Sequence, residues 1–452
     1  MHLSHLKRES SSGLANRTKS PLLEACGLAL VAQGYARGGG PARGQYRTCL
    51  PEHCFGQALV LDSKDRPKEV DMALTSGATS PFVNVADFGA AGDGTSDDTA
   101  AIRRAIDAAA PAQGPTGNTV FLPAGRYRLS AGLVLPPAVS LVGTGWNTPG
   151  SQANVFAGSW LLAPAGAPWS PLTLSGSGAS VRNVAFNVPD QSVPPAPAEP
   201  MVRVTANNAL VEDILLYNPF AGIYLDGGAQ ATLRRIWGQP LYYGVMVDRS
   251  QDSNYIDTVH FWTYWQPPGT PGAAWQLSHG TGILLLRADN PHLSNVFAFH
   301  YLKGLVLGSS QAGAPHKVHL FNADFDNCVT GVHVAAPGRE GYAATMQMAN
   351  VTVQSPSGAG APAGHGVWVD AASSFAMVQA SNLRVSSSAL NAVRIDAEDA
   401  SFFGENVSLE NFRGPEGFRI SSPRSFAHLG VGFRAGPGVP FAPKSQFRFP
   451  KT

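Results

Sequence analysis

Asp324 and Asp326 stand two residues apart in Phe321-Asn322-Ala323-Asp324-Phe325-Asp326. On an extended strand such residues share a face, with backbones about 6.8 Å apart at ~3.4 Å per residue. Two carboxyls on one face can divide the work of glycoside hydrolysis. One protonates the leaving oxygen and the other attacks or activates water, at separations of roughly 5–9.5 Å. Apolar surroundings would raise the pKa of one and keep it protonated. His260 could assist as a general acid/base or hydrogen-bond a sugar. The plain alternative is that aspartates beside asparagines serve turns and solvation.

The elements that must position these residues are read from a repeat. Its strand has the form Gly-apolar-x-apolar-x: Gly222-Ile223-Tyr224-Leu225-Asp226, Gly244-Val245-Met246-Val247-Asp248 and Gly282-Ile283-Leu284-Leu285-Leu286. It recurs at Gly304–Gly308, Gly331–Ala335 and Gly366–Asp370, and without glycine at Ala392–Asp396. The shortest spacing is 22 residues (222 to 244, 282 to 304), the period of one coil of a parallel β-solenoid. The longer gaps predict insertions near 266–280 and 338–364.

Eight residues before Gly222, Gly244, Gly304 and Gly331 lies a second strand in the same phase, with Ile214, Ile236, Val296 and Ala323 facing inward, and Val259 fits the slot if the insertion lies after it. The alternate residues then face out. They form a column of Leu215, Trp237, His260, Phe297 and Asp324, and beside it Tyr217, Gln239, Trp262, Phe299 and Asp326. Flat aromatic plates can stack on the C–H face of a pyranose ring. Tyr217, Trp237, Gln239, Trp262 and Phe299 are therefore candidate glycan contacts, with Tyr264, Trp265 and Trp275 nearby. The alternative is that the rings pack beneath loops 266–280 and 338–364, and both readings are open here. Asp226 and Asp248 end homologous strands one coil apart. They could act as an acid pair or bind Ca²⁺, although strand-end aspartate is favoured as a turn former.

The remaining composition bounds the function. Only 14% of the residues are charged, with 49 Gly and 35 Pro, which suits short strands joined by tight turns. A net charge of +1 gives no field to draw nucleic acid or an acidic membrane, and no apolar run is long enough for a membrane span. Cys26, Cys49, Cys54 and Cys328 show no zinc-site spacing; a Cys49–Cys54 disulfide and two stray thiols are both open. Residues 1–80 lack sustained periodicity and read as a loosely structured extension. Residues 21–32 resemble a weak signal-peptide core, interrupted by Glu24.

From Asn84 the chain reads Asp87-Phe88-Gly89, Asp93-Gly94 and Ser96-Asp97-Asp98-Thr99, then Ala101, Ile102, Ala105, Ile106 and Ala109 at helical spacing. Strands Thr119–Leu122 and Gly125–Leu129 follow around a Pro-Ala-Gly turn, then Val139–Gly145. This run resembles the N-terminal signature of the pectate-lyase-like superfamily, including its rhamnogalacturonase/epimerase-like and tailspike-like members. The resemblance covers about sixty residues. It implies an all-β, right-handed parallel β-helix with an N-terminal capping α-helix, in which Asp93, Asp97 and Asp98 cap that helix. It does not choose among hydrolases, lyases, epimerase-like proteins and tailspikes. The order Asn322-Ala323-Asp324, Gly364-His365-Gly366, Arg394-Ile395 is similar to that of polygalacturonases. However, Tyr342-Ala343-Ala344-Thr345-Met346 stands where that family has an acid pair, and Asp396 replaces its lysine. His365 and Arg394 therefore stay secondary candidates, with Asp226 and Asp248.

The expected domains are an extension over 1–80, the β-helix over 81–411 and a Pro/Gly-rich tail over 412–452. The expected function is a polysaccharide-active protein, with hydrolysis favoured over elimination. A non-catalytic glycan-binding solenoid, adhesin- or tailspike-like, is the alternative. No cofactor or metal is called for, the expected partner is a polysaccharide, and the expected location is extracellular or periplasmic. The oligomeric state is open, a trimer included.

Overall fold

The structure is a computed structural model. It describes residues 58–61, 67–70, 82–110, 119–149, 155–337, 344–356, 360–387, 390–412, 414, 416–430, 434–435 and 447–448. Cys26, Cys49, Cys54 and the 21–32 stretch lie outside the described residues. The chain divides into two units, Met1–Thr75 and Ser76–Thr452. In the first, Ala58–Leu61 pairs antiparallel with Pro67–Val70.

The second unit is a right-handed parallel β-helix. Each coil supplies one strand to a short sheet and one longer strand to a second sheet. Eleven strands stack in the short sheet, among them Ala221–Asp226, Tyr243–Asp248, Thr281–Leu285, Lys303–Leu307 and Thr330–Val334. The glycines of the repeat lie where coils crowd together. A Cβ on Gly244 would sit 2.1 Å from the Phe261 ring and 2.6 Å from the Gly282 carbonyl oxygen.

Each long strand bends at one residue held in the left-handed region. Asn183, Asn295, Asn322, Asn350, Asn382 and Asn406 occupy this slot with φ between 50° and 58°. Asparagine tolerates that conformation better than other side chains with a Cβ. The lower asparagines also form a ladder, each Nδ2 donating to Oδ1 one coil back: Asn322 to Asn295 at 3.3 Å, Asn350 to Asn322 at 3.0 Å, Asn382 to Asn350 at 2.8 Å and Asn406 to Asn382 at 2.6 Å. Three upper coils place Asp213, Arg235 and Thr258 at the bend, and Arg235 Nη2 donates to Asp213 Oδ2 at 2.6 Å. The bend splits the outer surface of the long sheet into two strips.

Inside, like residues stack on like. Ile214, Ile236, Val259, Val296, Ala323, Val351 and Leu383 are successive register partners and are almost wholly buried. The helix Thr99–Ala109 turns Ala101, Ile102, Ala105, Ile106 and Ala109 onto the same core at its N-terminal end. Asp97 accepts from the Thr99 backbone N–H at 3.0 Å, and Asp98 holds the preceding loop through Ala91 N–H at 2.6 Å and Gly92 N–H at 3.2 Å. Asp93 accepts from Thr95 and Ser96 N–H, both at 2.7 Å. Of the three acids expected to cap the helix, Asp97 alone reaches a helix N–H; Asp98 stands at the N-cap without a side-chain cap bond, and it and Asp93 hold the loop instead.

Two expectations change. The region 338–364 is not simply an insertion, because Thr345–Gln354 within it is a full long-sheet strand paired with Val318–Asp326. The coil also continues past residue 411: Phe418–Ile420 joins the short sheet and Phe426–Leu429 the long one. The repeat strand recurs there with its glycine, as Gly417-Phe418-Arg419-Ile420-Ser421, and Phe418 and Ile420 fill the inward slots. In the region 266–280, Pro271–His279 forms a helix.

Candidate functional site

On the strip after the bend, Trp237, His260, Phe297, Asp324 and Thr352 are successive register partners on one outward column. Each step is one coil, about 4.8 Å. The rings stack: Trp237 and His260 centroids lie 4.8 Å apart, His260 and Phe297 4.8 Å apart and 15° from parallel. In the neighbouring column Trp262 and Phe299 approach to 4.2 Å, and Trp262 is 38% exposed. His260 Nδ1 meets the Tyr264 hydroxyl at 2.9 Å. Burial lowers the His260 pKa, so its imidazole is neutral at neutral pH.

The column runs into the two acids. Phe297, Asp324, Asp326, Thr352 and Gln354 line a depression of about 260 Å³. Asp324 is exposed and Asp326 half-buried. Burial raises the Asp326 pKa; a hydrogen bond from the Asn327 backbone N–H offsets part of this, and the charge of Asp324 adds to it. Two neighbouring carboxyls in unequal surroundings are biased toward opposite protonation states. Asp326 is thereby biased toward holding its proton.

Toward the N-terminal end the aromatics are covered. Tyr217 is 9% exposed and packs with Trp160, Leu162 and Leu215 under Phe156, Trp237, Tyr264 and Trp265. Gln239 is completely buried. Its Oε1 accepts from Trp265 N–H at 2.7 Å and Gln266 N–H at 2.9 Å, and its Nε2 donates to the Gln266 carbonyl at 2.9 Å and Gln276 Oε1 at 3.0 Å. Gln239 therefore anchors a loop and has no group left for a ligand. Tyr217 and Gln239 leave the contact set for this reason, as does Phe299, 8% exposed against Trp262, whereas Trp237 and Trp262 stay on the groove side. Trp275 packs on His279 and Phe220, away from these columns.

The secondary candidates are occupied. Asp226 and Asp248 are register partners, but Asp226 is bridged by Arg203 at 3.0 Å and by Arg249. Asp248 accepts from Arg249 N–H, Arg287 N–H and Ser310 Oγ. Neither is a free acid. Among the described residues no group of three or more His, Cys, Asp or Glu is placed to hold a metal ion. His365 is buried, with its pKa lowered to about 4 by burial first and then by Arg394. A Cβ on Gly364 would lie 2.0 Å from the Val329 carbonyl oxygen, so the Gly-His-Gly run serves packing. Arg394 Nε donates to Asp396 Oδ2 at 2.6 Å on the short sheet, whereas Asp324 lies on the long one. The polygalacturonase-like order does not assemble into one site.

The short sheet carries a second polar cluster on its outer face. The middle x of Gly-apolar-x-apolar points outward, and at successive coils it holds Val306, His333, Trp368 and Arg394. His333 Nε2 pairs with Asp370 Oδ2 at 2.9 Å, and Trp368 lies over its ring at 4.3 Å and 7°. Burial lowers the pKa of the adjacent Lys303, and the charge of Asp370 opposes that. His333 is only 4% exposed, closed off by Trp368, whereas Asp324 on the long sheet is open at a depression.

Residues 82–168 match the family model described as rhamnogalacturonase A/epimerase, pectate lyase-like. Over 69 residues the chain is 55% identical to the mannuronan C5-epimerase AlgE2 of Azotobacter vinelandii and 51% identical to alginate lyase 7 of the same organism. Each match is 14% of this chain, and they are 7% and 8% of those proteins. Among solved structures, the A-module of the A. vinelandii mannuronan C-5 epimerase AlgE4 is similar with a TM-score of 0.58 at 16% identity, covering 82% of this chain and 100% of that one. A tailspike of E. coli bacteriophage HK620, in complex with a pentasaccharide, has a TM-score of 0.52 at 11% identity, covering 83% and 69%. The chain carries the pectate-lyase-like parallel β-helix fold.

Proposed function

We propose that this β-helix acts on a polysaccharide and cuts glycosidic bonds in the groove along the outer face of its long sheet. One observation carries the reading: Asp324 and Asp326 open into the same depression at the end of a ladder of stacked rings. Asp326, with its raised pKa, is the general acid that protonates the leaving oxygen; Asp324 is the carboxylate that attacks or activates water. Trp262, exposed and backed by the buried Phe299, offers a plate for a sugar ring. His260 lies two coils from Asp324 in the same column, about 9.6 Å along the axis. It would therefore meet a neighbouring sugar, not the bond being cut. The similarity to epimerases and a lyase named for uronate polymers, and to a tailspike bound to a pentasaccharide, supports the substrate class. An extracellular or periplasmic site of action goes with such a substrate, and no helix among the described residues is long and apolar enough to cross a membrane.

The test is release of reducing ends from a polysaccharide panel by the parent chain, Asp324→Asn and Asp326→Asn. Loss of turnover in both variants is expected. Unchanged turnover in both removes the assignment, products ending in a 4,5-double bond show elimination instead, and binding without turnover in the parent makes the groove a lectin-like surface.

A further inference from the structure

The strip of the long sheet before the bend carries its own concavity. Two adjoining depressions of about 360 and 300 Å³ share Gln347 and Gln379. The floor is low because Ala349 and Ser381 are successive register partners between Phe321 and Glu405. Three coil steps from Phe321 to Glu405 make a trough about 14 Å long at ~4.8 Å per step, long enough for a short oligosaccharide. Phe321 stands 40% exposed at one end, and Phe403 lines the other. Along the edge, Gln347 Nε2 donates to Gln379 Oε1 at 2.8 Å. Gln379 Nε2 faces Met377 Sδ at 3.8 Å, a weak acceptor that a hydroxyl would readily replace. On the N-terminal side the trough is continued by stacked rings: Tyr255 on His292 at 5.2 Å and His292 on His319 at 4.7 Å.

Charge narrows the occupant. Among the lining residues only Lys317 and Glu405 carry formal charge, one at each end. His319 is held neutral by burial and by His292 beside it. Between these two ends the described lining residues offer amides, hydroxyls and aromatic faces, and the one cation, Lys317, stands at an end. We propose that this trough is a second, non-catalytic binding site for a neutral glycan chain, separated from the acid pair by the asparagine ladder. Among the described lining residues Glu405 is the one carboxylate, so the trough lacks the acid pair that cutting would use. A subunit interface of ordinary size needs about 800 Å² per partner, and the narrow trough suits a chain of rings better.

Affinity electrophoresis of the full chain tests this in an Asp324→Asn, Trp262→Ala background, which silences the other groove. The gels contain hydroxyethylcellulose, laminarin or xyloglucan as neutral polymers, and alginate or polygalacturonate as anionic ones. At least one neutral polymer is expected to retard the chain. Phe321→Ala and Gln379→Ala should each weaken that retardation about three- to tenfold, and Phe321→Trp should preserve it. Circular dichroism confirms that each variant is folded. The proposal is overturned if no neutral polymer retards the chain, if only anionic ones do, or if both truncations leave retardation unchanged. Self-association in sedimentation that Phe321→Ala abolishes would likewise overturn it, since another copy would then cover the face. Loss of cutting in Asp324→Asn with this retardation intact separates the two sites.

Discussion

His260 lies flat against Phe297, ring centroids 4.8 Å apart and planes 15° from parallel, while Tyr264 closes over its Nδ1 at 2.9 Å. The imidazole thus works first as an aromatic plate in a ladder and only second as a polar group. His260→Phe should keep the stack and most glycan affinity. His260→Ala should interrupt it and weaken binding by about 1 kcal/mol, read from the fluorescence of the flanking Trp237 and Trp262 on titration with substrate.

The acid pair has a pH signature. Asp326 titrates above the ordinary carboxylate value because burial and the Asp324 charge disfavour its ionised form. Cutting should require Asp326 protonated, so turnover should fall as pH rises through its raised pKa. In Asp324→Asn the neighbouring charge is gone, and the Asp326 carboxyl ¹³C titration should move to lower pH. No movement would show that the two carboxyls do not interact.

Gln239 is a loop anchor. Gln239→Leu leaves the backbone N–H groups of Trp265 and Gln266 without their acceptor, at an expected cost of about 3 kcal/mol. Faster proteolysis within residues 262–276, with the coil otherwise intact, is the measurement that shows it.

Thr258 holds the left-handed bend with φ 53°, a conformation costly for a β-branched residue. Thr258→Asn should relieve that strain and offer Asn295 Nδ2, which already donates to Asp257 Oδ1 at 2.8 Å, a second acceptor one coil back, extending the ladder. A gain of about 1 kcal/mol is expected in denaturant unfolding; a loss would mean that the Thr258 hydroxyl, 3.1 Å from Asp257, matters more.

His365 makes the fold acid-sensitive. Its folded pKa of about 4 lies below the ordinary value of 6.5, so between these limits the unfolded chain binds a proton that the folded chain does not. Stability should therefore fall as pH drops from 6.5 toward 4, by an amount on the order of 1–3 kcal/mol. His365→Asn should flatten this part of the profile.

Much of the architecture could be read directly. Alternation along Ile214-Leu215-Leu216 or Val259-His260-Phe261 reports which residues face the core, because side-chain direction on a strand is a property of the local backbone. The outward column from Trp237 to Asp324 was legible for the same reason. His333 and Trp368 sat in an equally legible slot, but they differ in residue type from the Tyr224, Met246 and Leu284 that precede them, which hid the column. The late coil has the same mark in Gly417-Phe418-Arg419-Ile420, but the Pro- and Gly-rich composition around it reads as a tail.

By itself, the sequence determined the parallel coil, its N-terminal helix and the face each strand residue takes, since all three follow from short-range spacing. Only the tertiary structure decided which of those faces stays open. Gln239 is consumed by residues 265–276, Asp226 by Arg203 and Arg249, and Tyr217 by Trp160 and Phe156. Asp324 and Asp326 remain at a depression. Whether an outward side chain meets solvent, a loop or an ion-pair partner depends on chain distant in sequence, and local periodicity carries no record of that distance.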